Sequence, residues 1–227
     1  MKPAKHSRSK ELRDNSWKAL KLSVPLSSAG VIATYFEVSP LLPMWLAMFF
    51  TMIVVSAGIV FTIAILSFGF SLVLLLISLL FRWEKRQAAI LFVLSASYLL
   101  VAVPGFMASQ SIYRWGFVNV ALRGAPLVSA IRAYEAKYGH PPEGLNNLVP
   151  EFIDKIPGTG MSVSPEYEYR SGQAAAAYDE NPWILSVRPP FRGVGFDQFF
   201  YFPGQNYPQQ GYGGWLEPIR DWAYVHE

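Results

Sequence analysis

From Met44 to Phe81 the chain runs for 38 residues without a charged side chain, broken only by Ser, Thr and Gly. A bilayer core takes about 20 apolar residues in helical form. Only helices or closed barrels satisfy their backbone polar groups in lipid. Runs of Leu, Ile, Val and Phe such as Ser71 to Phe81 lack the alternation of a barrel strand. The stretch therefore reads as membrane-spanning helix, and the chain as an integral membrane protein.

Charge divides the remainder. The first 109 residues carry a balance of +6 and the rest a balance of −3. The overall pI of about 9.0 thus comes from the membrane-flanking half. Nucleic-acid binding would want the basic excess on the folded domain, so no nucleic-acid partner is expected. Residues 1–21 hold seven of the basic groups (Lys2, Lys5, Arg8, Lys10, Arg13, Lys18 and Lys21) and read as a retained basic cytoplasmic tail. Leu22 to Phe36 is diluted by Ser, Pro, Gly and Thr and shows no small-x-small cleavage pattern, so the segment is expected to be retained and not cleaved as a signal peptide.

A second basic cluster, Arg82-Trp83-Glu84-Lys85-Arg86, separates the long block from the apolar run Ala88 to Ala108. If both clusters are cytoplasmic, an even number of spans lies between them. One arrangement has a first span at about 20–37, a turn outside at Glu37-Val-Ser-Pro40-Leu-Leu-Pro43, and a return through Met44 to Phe81 as one helix. Such a helix is about 57 Å long and must tilt, kink or project. The other leaves 22–42 at the interface and folds 43–81 as a hairpin near Ser56-Ala57-Gly58. The first is preferred, because Glu37 and the prolines suit a turn in water. Either gives about three spans within residues 22–108 and delivers residues 109–227 to the outside.

That extracytoplasmic part opens with a helical pattern from about Ser109 to Tyr138. Leu127, Ile131, Tyr134 and Tyr138 share one helical face. Gly124-Ala-Pro126 is expected to kink or restart the helix, and Gly139 to cap it, with Pro141 and Pro142 barring continuation.

The run Ala130-Ile-Arg-Ala-Tyr134, followed by Gly139-His-Pro-Pro142, Leu145-Asn-Asn-Leu148-Val149-Pro150, Ile156-Pro157 and Tyr167-Glu-Tyr169, resembles the globular part of type IV pilin-like proteins, particularly the pseudopilins of type II secretion systems. The likeness continues to Trp183-Ile-Leu-Ser-Val187. It implies a small α+β domain in which a helix packs on an antiparallel sheet, with Tyr134 and Leu148 buried between them. It does not extend to the Gly-aromatic leader junction and the Glu that such proteins use for processing and filament assembly. It therefore implies a pilin-like domain on a multi-pass anchor, and a role in protein–protein contact or envelope structure.

The C-terminal extension is aromatic and loop-rich. Strands are expected at 183–188, 197–202 and 221–225, bounded by Pro189-Pro190, Pro203-Gly204 and Glu217-Pro218. The loop from Gly204 to Trp215 combines several Gly residues with Tyr207, Tyr212 and Trp215, which makes these three the candidate binding residues. If they fold back on the sheet, they are core. Catalytic signals are absent. There is no cysteine, no His spacing suited to a metal, no phosphate loop and no nucleophile elbow. Asp179, Glu180, Asp197, Glu217 and Asp221 follow no Ca2+-loop pattern. The expectation is a non-enzymatic protein without cofactor or metal. Its partners are the lipid bilayer and an envelope protein, or alternatively a small molecule or glycan held by the C-terminal loop.

Overall fold

The computed structural model describes residues 4–81, 85–191, 197–208 and 214–226. Three long helices come first: α1 (Ala4–Glu37), α2 (Met44–Phe81) and α3 (Lys85–Tyr138). A 3-10 turn (Leu145–Leu148) follows, then β1 (Glu168–Ser171), a short α4 (Gln173–Ala176), β2 (Trp183–Val187), β3 (Gln198–Tyr201), β4 (Trp215–Ile219) and β5 (Trp222–His226). The three long helices contain stretches long and apolar enough to cross a membrane, within Arg13–Glu37, Met44–Ser78 and Gln87–Tyr138. Block 44–81 is one helix and not a hairpin.

The chain divides into two compact bodies. The first comprises residues up to Thr34 together with Met52–Ser111. Inside it the helices meet through stacked rings, Phe61 on Phe106 at 5.1 Å and Phe68 on Phe92 at 5.0 Å. Hydroxyls are satisfied within the body. Thr34 donates to the Gly30 carbonyl at 2.9 Å and lies 3.2 Å from Ser109 Oγ, and Ser56, Thr62 and Ser95 each return a hydrogen bond to their own helix. This is what a lipid environment requires of a polar side chain. The basic segment expected as a tail separate from the first span is helical from Ala4 onward and belongs to α1, so no element boundary falls at residue 21.

The second body comprises Tyr35–Thr51 together with Ile112–Glu227. Its five strands are all antiparallel in the order β1-β2-β3-β5-β4. Strand alternation sends Trp183, Leu185, Val187, Phe199, Tyr201, Trp222 and Tyr224 to the face covered by α3, where they meet Phe117, Leu127, Ile131 and Leu148. Ile184, Phe200, Phe202 and Val225 form a second apolar layer on the other face with Ala175, Tyr178 and Tyr207. With both faces covered, every residue of β2 is buried.

Three expectations need correction here. The helix does not break at Gly124-Ala-Pro126; α3 is continuous through it. Gly124 is where the helix comes closest to the sheet, since a Cβ there would lie 2.9 Å from Trp222 Cζ2. The packing of Leu127 and Ile131 on the sheet offsets the hydrogen bond that Pro126 forfeits. Leu148 is buried as expected, but Tyr134 is only partly buried and Tyr138 is about half exposed. The three expected strands stand at their places, and a further strand, β4, occupies residues expected to be loop and boundary. Its Pro218 is tolerated because β4 is an edge strand. Gly139 closes α3 as expected, with φ of +76° and its N–H on the Glu135 carbonyl at 2.8 Å.

The start of the turn after α1 is built into the second body, while Pro40, Leu41 and Pro43 stay exposed. Glu37, Val38 and Ser39 are buried. Ser162 donates its backbone N–H to the Ser39 carbonyl at 3.1 Å and its hydroxyl to the same oxygen, and Ser162 Oγ accepts the Leu42 N–H at 3.3 Å. Val38 lies against α3 at Gly116, where a Cβ would stand 2.5 Å from Val38 Cβ. The first two turns of α2, to Thr51, belong to this body too, so the surplus length of that helix projects into the folded domain. Replacing Gly116 by Ala should cost about 1–3 kcal/mol through overpacking. Thermal unfolding in detergent should show the loss, and Val38→Ala in the same chain should recover part of it. Equal stability of Gly116→Ala and the parent would mean that this contact is not made.

Candidate functional site

The three residues singled out in the C-terminal loop have separate fates. Tyr207 folds back onto the sheet. Its ring stacks on Phe202 at 4.8 Å, its hydroxyl accepts the Phe202 N–H at 3.0 Å, and it donates to the Asp221 carbonyl at 2.8 Å. Burial pushes its phenol well above the ordinary tyrosine range. Tyr207 is thus half-buried against the sheet and ties the loop after β3 to the turn before β5. Tyr212 lies outside the described residues. Trp215 opens β4 and exposes 59% of its surface, with one ring face stacked on His226 at 3.6 Å.

The same loop is fastened by amides. Asn181 donates to the Tyr178 carbonyl at 2.7 Å and to Asn206 Oδ1 at 2.9 Å, and it accepts the Gly204 N–H at 3.3 Å. Asn206 in turn donates to the Asp179 carbonyl at 2.7 Å. This clasp holds Asp179, Glu180 and Gln205 in left-handed backbone conformations. Gly residues supply turn freedom, but these contacts remove the mobility that a recognition loop was expected to keep over 204–208.

Two clusters of polar and aromatic side chains stand out in this body. The first gathers around one turn of α3. Tyr113 Oη lies 2.9 Å from Tyr224 Oη, which donates to Asp197 Oδ2 at 2.8 Å. Burial raises the Tyr224 phenol far above its ordinary range, and the neighbouring Tyr113 and Asp197 raise it further, so it stays a proton donor. Arg114 pairs with Glu217 on β4 at 3.2 Å, and Glu217 also meets His226 at 3.4 Å. The second cluster is at the far end of α3. Tyr134, Tyr138 and Phe152 pack with ring centroids 4.6–6.1 Å apart, and His140 adjoins Tyr134 at 5.9 Å. The Lys137 ammonium lies 5.0 Å from the Tyr138 ring and 5.8 Å from that of Phe152, and it is hydrogen-bonded to Glu151. That bond holds the Glu151 carboxyl below the usual carboxylate range.

Among the described residues, no three His, Asp or Glu side chains gather to hold a metal ion. Of the five acidic residues considered in sequence, Asp197 and Glu217 belong to the first cluster, Asp179 and Asp221 lend backbone carbonyls to the contacts described above, and Glu180 stands beside Asp179 in the left-handed turn. Sequence reading missed Arg114, His226 and the second cluster as a group. The spacing of Tyr134 and Tyr138 by four residues was a visible signal; the approach of Phe152 was not, because it depends on the loop after α3. Comparison with known proteins returns no matching family, no matching curated protein and no matching solved structure.

Tyr207→Phe should lower stability by about 1–3 kcal/mol, since it leaves the buried Phe202 N–H without this acceptor. Chemical unfolding of the protein in detergent measures this. An unchanged midpoint would mean that the Tyr207 hydroxyl does not hold the Phe202 N–H.

Proposed function

We propose that this chain is a multi-pass protein of the bacterial inner membrane, N-terminus cytoplasmic, that presents a pilin-like α+β domain outside for non-covalent recognition of an envelope protein. The observation that carries the reading is the aromatic cluster at the end of α3, which leaves Tyr138 about half exposed. Tyr138 lies roughly 45 Å along the helix from Ala108, where the apolar run ends. Its ring is already engaged: Tyr134 packs against it tilted, Phe152 edge-on, and the Lys137 ammonium lies over it. Ring edges with a fixed charged rim suit a protein surface, where aromatic anchors dominate binding energy. A sugar would need a free ring face to stack on.

A second reading, recognition of a small molecule or glycan by the C-terminal loop, keeps one supporting observation: Trp215 is exposed on a rigid strand. The two are separated by incorporating a photo-crosslinking phenylalanine analogue at Tyr138 or at Trp215 in the full chain and irradiating whole cells. The proposal expects a discrete protein adduct from position 138, reduced by Phe152→Ala. Adducts from 215 alone, or none from 138, would contradict it.

A further inference from the structure

We propose that the second body has a lipid-facing end that is seated in the headgroup layer of the bilayer, with Trp115, Phe191, Trp215 and Tyr35 as its aromatic anchors and Arg114 among them. The inference rests on the reading that α1–α3 cross a membrane and is independent of the partner proposed above.

Three consecutive residues of α3 set the level. Successive side chains on a helix point about 100° apart, so Tyr113, Arg114 and Trp115 radiate in different directions from one turn. Each reaches a different element of the same body. Tyr113 Oη lies 3.5 Å from the carbonyl oxygen of Pro190, the residue before Phe191. Arg114 pairs with Glu217, two residues along β4 from Trp215 and on the same strand face. Trp115 stacks on Tyr35 of α1 at 6.4 Å. The four aromatics therefore lie around a single turn of α3, which follows the end of its apolar run by about 9 Å of helix rise.

They are exposed there in spite of their size. Trp115, Phe191 and Trp215 each leave half or more of their surface uncovered, Tyr35 leaves 40%, and the Arg114 side chain 62%. Large aromatics with a polar edge gain most at the membrane–water boundary, where one side is apolar and the other wet. An arginine at that depth can reach lipid phosphate while keeping its carboxylate partner. Spacing along α1 agrees. Trp17, largely exposed and with the Lys21 ammonium 5.7 Å from its ring, precedes Tyr35 by about 27 Å of helix. That is close to the hydrocarbon thickness of roughly 30 Å, so the two residues mark opposite boundaries. Under this assignment Trp215 anchors to lipid and not to a ligand in solution.

The chain has no cysteine, so a single nitroxide reporter can be introduced without background. Trp215→Cys in the full chain, spin-labelled and reconstituted in vesicles of phosphatidylethanolamine with a minority of phosphatidylglycerol, reports depth. The readout is the ratio of its accessibility to oxygen over a water-soluble nickel chelate. Ile63→Cys, exposed on α2, gives the hydrocarbon reference, and Glu143→Cys, exposed in the loop after α3, gives the aqueous one. The expected ratio at 215 is several-fold above that at 143 and below that at 63. Phe191→Cys provides the same reading should the Trp215 variant fail to fold. A ratio at these positions equal to that at 143 overturns the inference while leaving the spans intact. An aqueous reading at 63 overturns the membrane reading and this inference with it.

Discussion

The approach of Val38 to the bare backbone of Gly116 is the contact on which the C-terminal body depends. It joins a segment from the first fifth of the chain to the helix that carries the whole sheet domain. A side chain on Gly116 would meet Val38 Cβ at 2.5 Å, inside the distance that two carbons tolerate. The absence of that side chain lets the turn after α1 lie flat on α3, close enough for Ser39 and Leu42 to bond with Ser162. Backbone groups buried at such a joint need partners. Here a serine hydroxyl that both donates and accepts supplies two of them.

About two turns further along α3 the same economy recurs. Gly124 admits the Trp222 ring, and Tyr167 donates to the Val120 carbonyl at 2.6 Å. The sheet core is built from rings: Trp183 stacks on Tyr201 and Phe199 on Trp222. Burial raises the phenols of Tyr167, Tyr207 and Tyr224 above their ordinary range, the last with help from Tyr113 and Asp197. A raised phenol contributes stability that is complete below the ordinary tyrosine value of 10.0 and is lost as the pH climbs past it. Tyrosine thus serves this domain as a core residue with one satisfied polar tip, and its abundance in the C-terminal extension follows from packing.

Local signals carried far in this chain. Apolar runs, unbroken by charge over Met44–Phe81 and diluted by small polar residues over 22–36, marked the three helices. Gly139 and the prolines after it marked the end of α3, and aromatic runs bounded by Pro and Gly marked β2, β3 and β5. Tertiary contacts hid the rest. Pro126 reads as a helix breaker in isolation, and only the sheet beneath Leu127 and Ile131 explains why α3 continues. Pro218 reads as a boundary, and only the place of β4 at the sheet edge makes it a strand residue. Glu37 and Ser39 read as exposed turn because nothing in their own neighbourhood announces Ser162, more than a hundred residues away. The same blindness affected the candidate site. Tyr207 and Trp215 look alike as loop aromatics, yet the Asp221 carbonyl draws one against the sheet, while pairing with β5 leaves the other on an exposed strand.

The account stands most directly on the turn between α1 and α2 being part of the folded domain. Hydrogen exchange of the full chain in lipid nanodiscs, followed by mass spectrometry of peptides covering 38–43 and 159–164, tests it. The account predicts slow exchange in both segments, and faster exchange in both when Ser162 is replaced by Ala. Rapid exchange of 38–43 in the unmodified protein, as for an open loop, would contradict it.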